Sequence, residues 1–194
     1  MKLLITTVAI LILSFTVNVS AKTVSDVEIA ESIPFEDKTL LARGAGIRSK
    51  FFIDLYVASL FSEEYIDSSK LSATDSYKVI HHPNINAIRL NIVSGLITSQ
   101  RMLDSIEQGF ELATDGKSKE IDAHIIEFIS VFDSPIKKQD QFTFISEPGL
   151  GVHVLKNNKP LISINNEAFR QALLSIWLGS DPVDTDLQRD MFGY

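Results

Sequence analysis

The amino-acid sequence predicts an α+β protein in which a large antiparallel sheet is covered on one face by a layer of helices. Three observations support this fold class. Apolar residues alternate with period two along the first half of the chain, recur at three- and four-residue spacings over 99–132, and alternate again from residue 141. Strands in runs, then helices, then strands are typical of α+β proteins rather than of alternating α/β folds. A ligand could lie in the mixed-polarity layer between sheet and helices.

The first half of the chain contains five strand patterns. They cover residues 23–33, 39–47, 51–61, 77–82 and 87–93. The clearest runs from Phe51 to Phe61, where the odd-numbered positions form a nearly apolar face and the even-numbered positions form a mixed face with Asp54 and Tyr56. Such alternation, rich in aromatic and β-branched residues, is typical of a half-buried strand.

Two amphipathic helices are predicted next, and their adjacency indicates a helical pair. The first begins near Ser99 and ends at Asp115-Gly116, and the second is opened by Ser118 and stops before Pro135. Polar residues that cap the first turn and glycine or proline at the end are the usual boundaries of a helix.

The last third of the chain is predicted to return to strands and to end in two helices. Strand patterns cover residues 141–146, 151–156 and 161–164, with turn residues at 148–149 and 157–158. The last main helix begins at an Asn165 or Asn166 cap and closes at Gly179. Asp184 or Thr185 caps a short terminal helix.

The first 21 residues have the organisation of a secretory signal peptide. Met1-Lys2 gives a short positive start, residues 3–17 are apolar, and Val19-Ser20-Ala21 is a small-residue cleavage pattern. A transmembrane anchor is the alternative, because the apolar run comes close to the length of a membrane span, but no positively charged stop follows it closely. We therefore expect cleavage after Ala21, one domain over residues 22–194, and a periplasmic or secreted protein.

Composition narrows the classes of partner. The formal net charge is −7 at pH 7, which disfavours binding to nucleic acid and to anionic membrane surfaces. The chain has no cysteine, so disulfides, thiol nucleophiles, thiolate metal sites and a lipoprotein anchor are excluded. We expect no nucleic-acid partner and no stable membrane anchor after the leader is removed. The composition does not identify a protein partner.

The histidines do not form a metal-binding pattern. His81 and His82 are adjacent and would point to opposite faces of a strand, while His124 and His153 each lack a spaced histidine partner. Zinc sites need three or four convergent ligands, so no metal is predicted. The sequence also has no Gly-x-Ser-x-Gly elbow, and its Gly-x-Gly sequences lack the helix-opening context of a phosphate-binding loop. No cofactor is predicted.

Arg48, Asp54 and Tyr56 are the candidates for a binding site. The planar, permanently charged fork of Arg48 matches a carboxylate, and Tyr56 can lie against apolar surface while its hydroxyl forms a hydrogen bond. Together they could hold the head of an acid whose tail enters the apolar layer. Alternatively, Arg48 pairs with Asp54 at a strand end, and the chemistry alone favours this pairing. Because a straight strand would separate Arg48 from Tyr56 by roughly 27 Å, a shared ligand requires a turn near Ser49-Lys50.

Two stretches of the chain resemble the chalcone isomerase fold family. GAGIRSKFFIDLYVASLF, residues 44–61, has the family's Gly-x-Gly-x-Arg start to a tyrosine-containing strand. FRQALLSIWLGSDPVDTDLQRDMFG, residues 169–193, is similar to the family's last main helix, the glycine after it and the Asp-Leu start of the terminal helix. The chain most resembles the exported bacterial chalcone isomerase-like proteins. The resemblance implies an open-faced β-sandwich, with a helical layer over a large antiparallel sheet and a cleft between them.

The resemblance also implies which residues would act. In plant members an arginine stabilises a phenolate during chalcone cyclisation, and threonine, tyrosine and asparagine side chains order water and contact the substrate. Non-catalytic members hold a fatty-acid carboxylate with the same arginine and a tyrosine. Arg48 corresponds to that arginine, and Tyr56 to a threonine of the isomerases or the tyrosine of the fatty-acid binders. Ile176 replaces the isomerases' second threonine, and their asparagine falls near Glu107 or Gln108. The residues that distinguish the isomerases are therefore absent.

Three functions follow as hypotheses. The favoured one is non-catalytic binding of a small apolar carboxylate such as a fatty acid, held by Arg48 and Tyr56 in a cleft lined by Ile176 and by Glu107 or Gln108. The second is an intramolecular lyase of the chalcone isomerase type, which has the fold and the arginine in its favour. The third is a structural or partner-binding module of the envelope, in which the arginine only pairs with a neighbouring aspartate.

Overall fold

The computed structural model describes residues 22–63 and 73–193, so the predicted leader and its cleavage site lie outside the described residues. A two-stranded ribbon comes first, formed by β1 (Thr23–Val24) and β2 (Val27–Glu28). Within the described ranges, seven further strands form one antiparallel sheet whose strand order follows the chain. They are β3 (Ser32–Phe35), β4 (Lys38–Lys50), β5 (Ile53–Ser62), β6 (Asn86–Ile92), β7 (Gln141–Glu147), β8 (Gly151–Lys156) and β9 (Lys159–Ile164).

Helices cover one face of this sheet. In the described part of the chain they are α1 (Ala73–His81), α2 (Ser99–Thr114), α3 (Asp122–Ile129), α4 (Glu167–Leu178) and α5 (Thr185–Met191). Buried side chains of all these helices share one hydrophobic cluster with alternate residues of the central strands, among them Ala58, Leu60 and Leu90. The predicted α+β class, an antiparallel sheet with a helical layer, is confirmed. No helix in the described ranges has the length and hydropathy needed to cross a membrane.

The strand predicted at residues 77–82 is wrong, because most of this segment is the second half of α1. Tyr77 and Lys78 are exposed, whereas Val79 and Ile80 are buried and α1 packs against α4. Two adjacent buried residues in so short a segment fit either period, so the sequence alone cannot separate helix from strand there. Packing against α4 decides for the helix.

Two other strand boundaries differ from prediction because of tight turns. The strand predicted over 23–33 is divided, since Ser25 and Asp26 have positive φ and form a turn between β1 and β2. β5 begins two residues later than predicted, because Phe51 and Phe52, with φ of +52° and +64°, form the hairpin turn from β4. The start predicted for the second helix at Ser118 is wrong, because α3 begins at Asp122 and has no side-chain cap. The other predicted strands and helices are confirmed with small shifts at their ends.

The predicted caps of the last two helices are confirmed in atomic detail. The side chain of Asn166 accepts a hydrogen bond from the Phe169 N–H at 2.8 Å and so caps α4. Asp184 accepts from the Leu187 N–H at 3.0 Å and caps α5. These bonds satisfy N–H groups that have no partner within the helix.

Arg170 on α4 is a buried cation that the sequence patterns did not single out. Its side chain is 1% exposed. It donates to the Ser146 hydroxyl at 2.9 Å, to the Ile80 carbonyl at 2.7 Å and to both carboxylate oxygens of Glu167. The Ile80 carbonyl lies at the end of α1, where helical carbonyls lack an internal partner. Arg170 therefore joins α1, α4 and β7.

The terminal helix α5 lies directly over β4. A Cβ built at Gly44 would be 2.3 Å from the Asp190 carbonyl oxygen and 2.5 Å from the Gly193 nitrogen. One built at Gly46 would be 2.6 Å from the Asp190 Cβ. The absence of side chains at these two positions lets α5 approach the strand. In the Gly-x-Gly-x-Arg sequence, the two glycines therefore let α5 pack on β4, and the arginine is the candidate ligand contact.

Candidate ligand-binding cleft

A cavity of about 530 Å³ opens between the sheet and helices α2 and α4. Its apolar walls include Leu55, Leu90, Ile97, Met102, Ile106 and Ile176. Its polar lining includes Arg48, Lys50, Tyr56, Arg101, Asp104, Ser105 and Gln108. The volume is within the range of small-molecule sites, which are mostly apolar with a few placed polar groups.

Arg48 and Tyr56 are brought together by the hairpin of β4 and β5. They are register partners across the two strands, and side chains directly opposite each other in an antiparallel pair have Cβ atoms about 4.5–5.5 Å apart on one face. The turn that the sequence required near Ser49-Lys50 occurs at Phe51-Phe52, two residues later. Both side chains line the cavity.

The alternative pairing of Arg48 with Asp54 is wrong, and a β-bulge explains why. Arg48 opposes Tyr56 but Ser49 opposes Asp54, so Leu55 is an extra residue on β5. An extra residue reverses which face the following side chains occupy. Asp54 therefore shares a face with Ser49, whose hydroxyl donates to it at 2.7 Å. Without the bulge, Asp54 and Tyr56 would lie on the same face of β5.

The acidic partner of Arg48 is Asp184, at the N-terminus of α5. One Nη of Arg48 lies 3.4 Å from an Asp184 carboxylate oxygen and donates to the Val183 carbonyl. The other Asp184 oxygen caps α5. In the described part of the chain, the second Nη and the Nε of Arg48 have no hydrogen-bond partner. This leaves one edge of the guanidinium to bind an anion.

Tyr56 is a buried hydroxyl with a donor to spare. It accepts a hydrogen bond from the indole N–H of Trp177 at 3.1 Å, and Trp177 is in turn stacked on Phe144. Burial raises the pKa of the Tyr56 hydroxyl above its usual value near 10, although the Arg48 charge and the Trp177 bond oppose this shift. Tyr56 is therefore protonated at neutral pH. Because the Trp177 N–H occupies only a lone pair of the Tyr56 oxygen, the Tyr56 O–H is available to a ligand.

The other predicted lining residues separate into two groups. Ile176 on α4 and Gln108 on α2 line the cavity. Glu107 is exposed and is not among the lining residues, since the cavity-facing side of α2 passes through Met102, Ser105 and Ile106. Ile176 therefore contributes an apolar side chain to the cavity wall.

Sequence reasoning missed the residues that hold Arg48 and Tyr56 in place. Asp184 was predicted only as a helix cap, and it is 136 positions from Arg48. Trp177 is apolar apart from its indole N–H, and nothing in the local pattern shows that this N–H points at Tyr56. The sequence signal for Asp184 is its place as a cap of the terminal helix, and this signal does not show a contact with Arg48.

The cleft combines hydrogen-bond donors with apolar walls. A permanent cation and a neutral hydroxyl donor lie side by side where the apolar walls begin, and charged donors make the strongest hydrogen bonds to carboxylates. Within 22–63 and 73–193, no group of three or more histidine, aspartate or glutamate residues could hold a metal ion.

Comparisons with known proteins agree with this fold. The chalcone isomerase-like family profile matches residues 21–193. No curated protein matches the chain by sequence. Among solved structures, the chain is similar to a fatty-acid binding protein of Arabidopsis thaliana, with a TM-score of 0.68 and 16% identity over 87% of this chain and 92% of that one. Since the family profile covers all of the described residues, the chain belongs to the chalcone isomerase-like family.

Proposed function

We propose that this protein binds an apolar monocarboxylic acid, such as a fatty acid, without chemically converting it. The carboxylate accepts hydrogen bonds from Arg48 and Tyr56, and the hydrocarbon tail lies in the cavity between the sheet and helices α2 and α4. The observation that carries the proposal is the pairing of Arg48 with Tyr56 at the edge of an apolar cavity, each with an unused donor. The fatty-acid binding protein with a similar structure also supports it.

Arg48 can bind a ligand without giving up Asp184. The salt bridge and the Val183 carbonyl use one Nη, so the opposite edge of the guanidinium can meet both oxygens of a carboxylate. Asp184 offsets part of the charge of Arg48. Lys50, Arg101 and Asp104 also line the cavity and together add a net positive charge, which favours approach of an anion at low salt.

The absence of catalysis is proposed from the residues around the arginine. Ile176 contributes a hydrocarbon surface to the cavity, whereas the isomerases that the sequence resembles have a threonine there. The Tyr56 hydroxyl is fixed by Trp177 and stays protonated, so it is suited to donate a hydrogen bond rather than to act as a base. Stereoselective ring closure of a chalcone faster than its spontaneous rate would contradict this part of the proposal.

Replacing Arg48 with methionine is expected to weaken binding of a twelve-carbon fatty acid by roughly 10–100-fold, the range for losing a charged hydrogen bond. The measurement is calorimetric titration with dodecanoic acid and with dodecanol. The wild type is expected to prefer the acid, and R48M to bind both equally, because the head contact is lost and the apolar walls remain.

Arg101→Met is the matched control, since this arginine also lines the cavity but is exposed and donates to the Leu96 carbonyl. It is expected to change affinity by less than about threefold at physiological salt. If R101M weakened binding as much as R48M, the general positive charge of the mouth would be responsible. Unchanged acid binding by R48M would contradict the proposed head site.

We also propose that the protein acts in the periplasm or outside the cell, on the basis of the leader pattern. The protein recovered from its host is expected to begin at Lys22. Intact-mass measurement of the exported protein checks this, and a retained leader in a membrane fraction would contradict it.

A further inference from the structure

The tip of the β4–β5 hairpin combines exposed aromatic rings with an unfavourable backbone. Phe51 and Phe52 occupy both central positions of a two-residue turn, with φ of +52° and +64°. Turns of this kind favour Asn-Gly, because side chains with a Cβ are disfavoured at positive φ. The Phe51 side chain is 83% exposed and that of Phe52 is fully exposed. Neither turn formation nor burial therefore accounts for two phenylalanines here.

The tip is continuous with the cavity. Phe51 and Ile53 line the cavity, and so does Leu96 in the segment before α2. Ile53 and Leu96 are also exposed, at 42% and 47%. Among the described residues, these side chains and Phe52 form an apolar rim at the cavity mouth, which we call the hairpin rim.

Charges near the hairpin rim are mixed. Lys50 lies with its Nζ 5.9 Å from the Phe51 ring centroid, and Arg101 and Asp104 also line the mouth. Asp54 is on the opposite face of the hairpin, where Ser25 and Ser49 donate to it. With a formal net charge of −7 for the whole chain, attraction to an anionic surface is not expected.

We propose that the hairpin rim docks on the surface of a lipid bilayer, with the Phe51 and Phe52 rings inserted at the boundary of headgroups and acyl chains. Exposed apolar patches of this kind occur at membrane or protein contacts. A phenylalanine offers about 150–250 Å², so the two rings, even with the partly exposed Ile53 and Leu96 added, supply less than the ~800 Å² per partner of a stable protein interface. A bilayer requires no shape complementarity, and apolar area sets the strength of such binding.

Docking would orient the cavity mouth toward the bilayer. Apolar acids are concentrated in the bilayer, so the docked protein could take up its ligand there. This loading role rests on the proposed function, whereas docking itself does not. The bilayer contact is driven by the aromatic rings, so neutral phosphatidylcholine is expected to be bound at least as well as a mixture containing anionic phosphatidylglycerol.

Phe52→Gly tests the proposal, because Phe52 is fully exposed, does not line the cavity and sits at a φ that glycine accepts without strain. In flotation with phosphatidylcholine vesicles, F52G is expected to lower the bound-to-free ratio roughly tenfold. The double variant F51N/F52G, which has the favoured turn sequence, is expected to abolish flotation while melting no lower than the wild type.

Leu150→Ser is the matched control, since Leu150 is an exposed apolar residue in the β7–β8 hairpin at the other end of the sheet. It is expected to float like the wild type. Equal flotation of F52G and wild type, or no flotation of either, would overturn the proposal. A wild-type dimer that F52G makes monomeric, with no flotation, would assign the hairpin rim to self-association instead.

Titration of the wild type with dodecanoic acid without vesicles separates the two proposals. Flotation without acid binding leaves docking intact and contradicts the proposed ligand. Acid binding without flotation leaves the ligand site intact and contradicts docking.

Discussion

Replacing Arg170 with alanine is expected to lower the free energy of unfolding by about 3–5 kcal/mol, the range for removing a large buried side chain together with its hydrogen bonds. The substitution leaves the Ile80 carbonyl and the Ser146 hydroxyl without their donor, and it empties the space of a side chain that is 1% exposed. Since a protein of this size loses about 2–4 °C per kcal/mol, the thermal midpoint should fall by roughly 6–20 °C. Urea unfolding and calorimetry measure both quantities.

Two variants show whether burial causes the effect. Arg189→Met removes an exposed arginine that pairs with Asp186 and Asp190 on the surface, and it is expected to change stability by less than about 0.5 kcal/mol. Arg170→Met keeps most of the side-chain volume, so it is expected to cost less than R170A and more than R189M. Equal stability of R170A and R189M would contradict a structural role for the buried network.

The same network predicts how stability responds to acid. Hydrogen bonds from Arg170 are the main reason that the pKa of Glu167 is lowered from 4.5 to about 2. Because the folded pKa is below the unfolded one, this stabilisation is present above about pH 4.5 and is lost as the pH falls toward 2. In R170M the free energy of unfolding should therefore fall less steeply over that range than in the wild type.

The sequence predicted those parts of the structure that depend on local pattern. Period-two alternation predicts that Tyr56 lies in a strand, and a turn between β4 and β5 is what places Tyr56 opposite Arg48. The starts of α4 and α5 are set by capping side chains close in sequence. The resemblance supplied the arrangement of sheet, helices and cleft. Each of these features is set by residues within a few positions of one another or by the order of the elements.

The features that sequence reasoning missed depend on contacts between distant residues. The bulge at Leu55 moved Asp54 to the other face of the hairpin, although no local pattern marks the extra residue. α1 is a helix because it packs against α4. A buried arginine at position 170 has the same local signature as an exposed one on the polar face of a helix. Arg170 is buried because it donates to the Ile80 carbonyl at the end of α1, and this contact joins residues 90 positions apart.

Gly44→Ala is expected to lower the free energy of unfolding by at least about 3 kcal/mol, the upper end of the usual cost of overpacking. A Cβ at this position would lie 2.3 Å from one backbone oxygen, 2.5 Å from a backbone nitrogen and 2.7 Å from a second oxygen, all at the end of α5. Main-chain atoms cannot move aside as a flexible side chain does. The helix must therefore shift, which loosens the packing of its buried Leu187 and Met191.

The same variant is expected to weaken binding of dodecanoic acid, although residue 44 does not line the cavity. Positions 44, 46 and 48 lie on one face of β4, and α5 runs over them so that Asp184 at its N-terminus reaches Arg48. A shifted α5 would release the guanidinium from Val183 and Asp184, and ordering it again on binding costs affinity. Gly95→Ala, with open space around its Cβ, is the matched control and should leave both stability and affinity unchanged. A destabilised G44A that binds the acid as tightly as the wild type would show that α5 does not position the arginine.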